Sequence, residues 1–360
     1  MQRHFLTGFL RRVTRGAAVA IVAAPCSPLL HAQLTTTPSA PSASASAREV
    51  TDELGRTIRI PQSIHRIVSL APSITETLYA LGLQEQLVGD TNFCDYPPDA
   101  QHKTKVGGVI NPSLEAIVAL HPDLVLVTKS LNRLDTVQAL AEIGIPSYST
   151  DPHSVADIFS STQRLADLLG ASAAGTAIVG DVERRLADTQ QRIASLPQRR
   201  VLFVVWPEPL ISVGQDTFIA DALLHAGAVS IVESSQSWPQ ISLEEVVRQQ
   251  PDFLIFAETH SDSPPPTLDS LASLPGWRIL NAVRDRHYAL VNDAINRPAL
   301  RIVSVIEDLA RQLHPEAFAD KPPSGNDKSI PENPTPPSAS LLFVSPNLSA
   351  CTLEGTACAL

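Results

Sequence analysis

Two carboxylates recur at the same place in a repeated segment. Residues 113–127 read Ser-Leu-Glu-Ala-Ile-Val-Ala-Leu-His-Pro-Asp-Leu-Val-Leu-Val, and residues 242–256 read Ser-Leu-Glu-Glu-Val-Val-Arg-Gln-Gln-Pro-Asp-Phe-Leu-Ile-Phe. Each copy predicts a Ser N-cap, a short helix, a Pro-Asp turn and a wholly apolar strand. Glu115 and Glu244 fall in the first turn of their helices, where the helix dipole favours a carboxylate by about 0.3–1 kcal/mol. That local role accounts for a lone glutamate. Repetition at equivalent points also fits two carboxylates offered to the Arg clusters of a partner that is itself two-fold symmetric.

Other polar groups cluster where strands should end. Ser69-Leu70-Ala71-Pro72-Ser73-Ile74-Thr75-Glu76 feeds a strand into a helix and leaves backbone N–H groups at a cleft edge, or is an ordinary connection capped by Ser73 or Thr75. Phe93-Cys94-Asp95-Tyr96-Pro97-Pro98 puts two aromatics and a soft thiol on one loop, at the kind of position where ligands bind in open α/β sheets. Trp238, in Ser237-Trp238-Pro239-Gln240, is either a wedge under its loop or a platform for a flat ligand. Asp293 and Arg297 bracket Ala-Ile-Asn and can pair with each other or face the cleft.

Catalytic signatures are missing. The chain has no Gly-x-Ser-x-Gly elbow, no phosphate loop ending Gly-Lys-Ser/Thr and no His-Glu-x-x-His pair. Its ten histidines are scattered, which argues against a cage of three imidazoles around a metal. The remaining enzymatic reading uses Cys94 as nucleophile with His102 or His121 as base.

The elements that must position these residues alternate. Strands are predicted at 67–71, 87–91, 124–128 and 147–150, with helices at 75–81, 114–120, 133–143 and 154–169, behind an edge hairpin at 49–60. Apolar strands without polar alternation are buried on both faces, so the sheets are parallel and covered by helices. Residues 171–195 then form one long helical run, on the order of 35 Å at 1.5 Å per residue. The pattern restarts with a strand at 201–206 and continues through 218–226, the second copy of the repeat, 287–291 and a last helix at 298–313. The expected architecture is α/β, with two similar parallel-sheet lobes, 48–170 and 197–318, joined by a single long helix (171–196) with the ligand cleft between them.

Composition bounds the partners. An apolar fraction of 44% over 360 residues fills two cores, and a net charge of −10 with a pI near 5.4 provides no basic stripe for nucleic acid. Arg3, Arg11, Arg12 and Arg15, the apolar run 17–24 and the small residues before Ala32 have the order of a secretory signal over residues 1–32. Cleavage near Ala32 is expected rather than lipidation at Cys26, because Pro25 does not suit lipid attachment. A flexible linker follows at 33–47, and a Pro-rich tail closes the chain at 319–360. With Cys351 and Cys358 in that tail, Cys94 is the only cysteine expected in the folded body, so no disulfide is needed.

Taken together, the segment 66–76, Asp95-Tyr96-Pro97-Pro98, Asn111 with 114–120 and Pro122-Asp123, and Trp238-Pro239-Gln240 resemble the periplasmic cobalamin-binding proteins of bacterial ABC importers. Their wider class also carries haem and ferric siderophores, which is the alternative within the same fold. The resemblance covers roughly residues 49–315. It implies a non-enzymatic, monomeric carrier in the periplasm, with no cofactor of its own, that clamps a corrinoid between its lobes. It also implies that Glu115 and Glu244 dock on arginines of the membrane permease. Phe93 and Trp238 match aromatics that pack the corrin, Asp293 and Arg297 match polar cleft residues, and Ser73, Cys94, Asp95 and Tyr96 complete the expected site. Three positions depart from the pattern: Val109 and Thr128 stand where first-lobe aromatics are expected, and Leu210 replaces a Phe.

Overall fold

The computed structural model describes residues 47–258 and 265–319. The signal segment with Cys26, the linker up to residue 46 and the tail from residue 320 with Cys351 and Cys358 lie outside the described residues.

The chain enters through an antiparallel hairpin, β1 (Ala47–Thr51) and β2 (Thr57–Pro61). Asp52 closes its turn by accepting from Leu54 N and Arg56 N, and Ser149 N donates to the same carboxylate, which ties the hairpin to the first sheet. That sheet comprises β3 (Ile67–Ser69), β4 (Leu87–Gly89), β5 (Leu124–Thr128) and β6 (Ser147–Thr150), all parallel, in the order β4-β3-β5-β6. Around it run α1 (Pro72–Ala80), α2 (Leu114–Ala119), α3 (Leu134–Glu142) and α4 (Val155–Leu168). The helix α5 (Ser172–Ile193) follows, and its 22 residues span about 33 Å.

The second half repeats the plan. Strands β7 (Arg199–Val204), β10 (Ala228–Ser230), β11 (Phe253–Ala257) and β12 (Tyr288–Val291) are parallel in the order β10-β7-β11-β12. Counted by appearance, both sheets have the same strand order, second-first-third-fourth. A small antiparallel pair, β8 (Trp206–Pro207) and β9 (Leu210–Ile211), is inserted after β7. The helices of this half are α6 (Phe218–His225), α7 (Leu243–Gln249), α8 (Leu268–Ser273), α9 (Asn281–Arg284) and α10 (Ile302–Leu313).

Two-sided burial explains the apolar strands. All five residues of β5 are buried, Leu124 and Leu126 in one cluster and Val125 and Val127 in another. Likewise Ile255 of β11 faces one core and Leu254 and Phe256 another. Each such side chain contributes roughly 1.5–3 kcal/mol on burial, which no polar residue would return at these positions.

The duplicated segment carries a duplicated set of hydrogen bonds. Ser113 Oγ accepts from Ala116 N and Ser242 Oγ from Glu245 N, each at 3.1 Å, so both helices start on the expected caps. Both end on a left-handed residue, His121 and Gln250, each at φ 45°. Past the proline, Asp123 Oδ2 accepts from Arg66 N at 2.9 Å and Asp252 Oδ2 from Arg200 N at 2.7 Å. The two arginines return the contact, Arg66 to Leu120 O and Arg200 to Gln249 O, at the helix ends where carbonyls lack partners.

Local differences from the sequence reading have identifiable causes. Helix α1 starts at Pro72, ahead of the expected 75, because proline's fixed φ suits the first helical position. Neither Ser73 nor Thr75 caps it, and Thr75 Oγ1 turns to Ser69 Oγ. The strand expected at 201–206 ends at Val204, and Trp206 joins the inserted pair. The last helix begins at Ile302, after a 3-10 turn over Asp293–Asn296.

Helix α4 also joins the cores. Its first turns place Val155, Ile158 and Phe159 among second-half residues such as Ile219 and Leu223, while Leu165, Ala166 and Leu168 pack with the first sheet. Val155 N donates to Asp221 Oδ2 of α6 at 2.7 Å. Beside it, α5 sends Val182 and Leu186 into the second core and Arg185 to Glu307 of α10.

Candidate functional site

The loops that leave the C-terminal ends of both sheets converge on one cleft. Its volume is about 650 Å³. The segment after β3 supplies Pro72 and Ser73, that after β4 supplies Asn92, Phe93 and Asp95, and that after β5 supplies Leu131. From the second sheet come Glu258 after β11 and Asp293, Asn296, Arg297 and Pro298 after β12. Ligands bind at this end of parallel sheets because strand ends turn into helices there and leave backbone groups and loop side chains convergent.

Five predicted residues therefore meet: Ser73, Phe93, Asp95, Asp293 and Arg297. Phe93 is 58% exposed, an open ring face on the wall. Asp293 and Arg297 pair with each other at 2.9 Å. Arg297 does more, because its Nη1 donates to Asp95 Oδ1 at 2.6 Å and Glu76 Oε1 at 2.9 Å, while Nη2 reaches Asp95 Oδ2 at 3.1 Å. Burial acts to lower the guanidinium pKa, but the hydrogen bond to Asp95 and the charges of Glu76 and Asp293 outweigh it and hold the group protonated. Arg301 completes the cluster by donating to both oxygens of Glu76 and lying over the Tyr96 ring at 3.9 Å. Since Glu76, Asp95 and Tyr96 belong to the first half and the arginines to the second, this cluster fastens one half to the other.

Three expected ligand contacts require correction. Cys94 is 1% exposed, with Sγ 3.2 Å from the hydroxyls of both Thr75 and Thr91. Burial raises its pKa against the pull of these hydrogen bonds, so the thiol is a packed neutral group and does not line the cleft. Tyr96 lies under Arg301 and lines a separate cavity of about 50 Å³ with Glu76, Ile178 and Leu300. Trp238 is 53% exposed on the second half, yet is not among the residues lining the cleft. Its loop is pressed onto β9 through Ile241 N donating to Leu210 O and Ser212 N to Pro239 O. Of the departures, Val109 does line the cleft, whereas Thr128 and Leu210 are buried in the protein.

Sequence reasoning missed Glu76, Arg301, Glu258 and Asn132. Asn132 Nδ2 donates to Leu70 O and Val109 O while its Oδ1 accepts from Thr128 N, which pins three loops of the cleft wall. A polar residue just past an apolar strand was the available signal. Its partners are 23 and 62 residues away, so they could not be read locally.

Glu115 and Glu244 are both exposed, each in the first turn of the helix that joins the second and third strands of its sheet. The Glu115 backbone N–H and the Ser113 hydroxyl lower the Glu115 pKa, so this carboxylate is charged at neutral pH.

Comparisons with known proteins agree with this geometry. An ABC transporter substrate-binding lipoprotein of Bacillus subtilis is 28% identical over 279 residues, covering 75% of this chain and 87% of its own length. A vitamin B12-binding protein of Vibrio cholerae is 29% identical over 259 residues, covering 70% and 90%. The crystal structure of the periplasmic vitamin B12-binding protein of Vibrio cholerae superposes with a TM-score of 0.61 at 26% identity, over 71% of this chain and 98% of that one. These relatives are binding proteins by name, and the duplicated sheets are their two-lobe fold. The profile of one family, described as periplasmic binding protein, matches residues 67–293, and the chain belongs to that family.

Proposed function

We propose that this chain is exported to the periplasm, captures cobalamin or a related corrinoid in its cleft, and delivers it to an inner-membrane ABC transporter. The observation that carries this reading is the 650 Å³ cleft itself, assembled from the strand ends of both sheets with the open Phe93 ring on its wall. The names of the relatives support the ligand class. Residues 48–170 and 197–318 act as the lobes, 171–196 as the bridge, and the protein works as a monomer. Phe93 stacks on the macrocycle, and Ser73, Asn92 and Asn296 hydrogen-bond its rim. No bond is made or broken, because binding and release are the whole task. Glu115 and Glu244 meet arginines of the permease, one from each lobe.

The test is an absorbance spectrum of the purified full-length chain after mixing with cyanocobalamin and desalting. Equimolar corrin bands carried with the protein are the expected result. A colourless protein would remove the reading.

A further inference from the structure

We infer that the cleft discriminates by charge, excluding chelates whose rim bears carboxylates and admitting a neutral or cationic one whose rim donates hydrogen bonds, with Glu258 setting the preference. The inference rests on the corrinoid reading and sharpens it, since a corrinoid rim carries carboxamides whereas haem carries propionates.

Arg297 is the only cation among the described lining residues, and its guanidinium is committed to Asp95, Glu76 and Asp293. Arg301 is likewise committed to Glu76. With Glu258, four carboxylates face two guanidiniums, a formal excess of two negative charges around the cleft. A ligand carboxylate entering here meets like charge and finds no open guanidinium fork to receive it. Glu258 is the member outside the cluster: it is exposed, and its Oε2 accepts from Asn292 Nδ2 at 3.1 Å, which orients it on the wall. An ionised carboxylate offers several lone pairs, and among the described side chains Asn292 uses one of them, so acceptor capacity is left for an amide N–H. Haem-type or anionic siderophore ligands would need a cation at this point.

The experiment compares ligands of one ring and two charges: dicyanocobinamide against dicyanocobyrinic acid, and hemin dimethyl ester against hemin. Each is titrated spectroscopically into the full-length chain, Glu258→Gln and Glu258→Lys. The wild-type chain is expected to prefer the uncharged-rim member of each pair by at least about tenfold, and Glu258→Lys to shrink that ratio by about tenfold. Glu258→Gln, which keeps the shape and removes the charge, should fall between. Equal affinities within the pairs, or a ratio unmoved by Glu258→Lys, overturn the inference. Corrinoid binding without charge preference defeats the inference alone, while a preference in the hemin pair with neither corrinoid bound defeats the corrinoid reading alone. Absence of binding to all four defeats both.

Discussion

Asp90 has no exposed surface, and only one of its carboxylate oxygens is satisfied. That oxygen receives Lys105 Nζ at 2.8 Å, and the same ammonium reaches the carbonyls of Cys94 and Ala100, so the pair shapes the loop that presents Phe93 and Asp95. Burial pushes the Asp90 carboxyl up from 3.8 to about 6, held back by the hydrogen bond and charge of Lys105. The folded protein then binds this proton more tightly than the unfolded chain does. Its contribution is greatest below 3.8 and is lost as pH rises through about 6. Asp90→Asn removes the titration, so its stability relative to wild type should climb across that window by up to about 3 kcal/mol. Urea unfolding of both proteins at the two ends of the window measures it, and a constant difference between them would refute the assignment.

At the scale of elements, α2 and α7 are the same device used twice: a Ser cap, an exposed Glu in the first turn, a left-handed end and a Pro-Asp staple to the preceding strand. The staple fixes each helix to its sheet, and hence each glutamate to its lobe. Truncating Glu115 and Glu244 together to alanine should leave corrinoid retention unchanged and abolish most uptake through the transporter. The expected loss is about 2–5 kcal/mol of docking energy for each charge pair broken. Undiminished uptake by the double variant, with normal retention, would end the docking proposal. Beside α7, the loop bearing Trp238 depends on Gly214, where an added Cβ would fall 1.9 Å from Gln236 O; only glycine permits that approach.

For the whole molecule, the decisive contacts are those between the halves. Glu76 receives Arg297 and Arg301 with its side chain 3% exposed, while α4 and α5 share residues with both cores. Helices packed into two cores resist bending, and the ion cluster at Glu76 adds a second join between the halves. Arg297→Ala leaves three carboxylates around one remaining guanidinium and should cost about 3–5 kcal/mol, as removal of one partner from a buried ion cluster does. Arg297→Lys should recover only part of this, because an ammonium lacks the planar fork that reaches Asp95 with two nitrogens. A fall of the urea midpoint equivalent to under about 1 kcal/mol in Arg297→Ala would show that the lobes are held by apolar packing alone.

Much of this protein is written in local sequence. The unbroken apolar runs of β5 and β11 imply strands covered on both faces, the Ser caps and Pro-Asp turns delimit α2 and α7, and their recurrence implies two like lobes. These are short-range consequences of hydrophobic burial and backbone hydrogen bonding, so they are legible residue by residue. Phe93 and Ser73 fall on the cleft lining for the same reason, since each follows a strand end, whereas Asp293 is legible as a cleft residue only through the family resemblance. Tertiary structure alone decided what Arg297 touches. Its partners Glu76 and Asp95 lie 221 and 202 residues away, and no local pattern encodes a pairing at that separation. It also decided that Cys94 packs inward between Thr75 and Thr91 while Phe93 beside it points out, because the loop's path over β4 sets which side chain meets the core. The cleft's excess of negative charge belongs to the same category: it is a sum over side chains from both halves, and exists only once the strand ends of the two sheets converge.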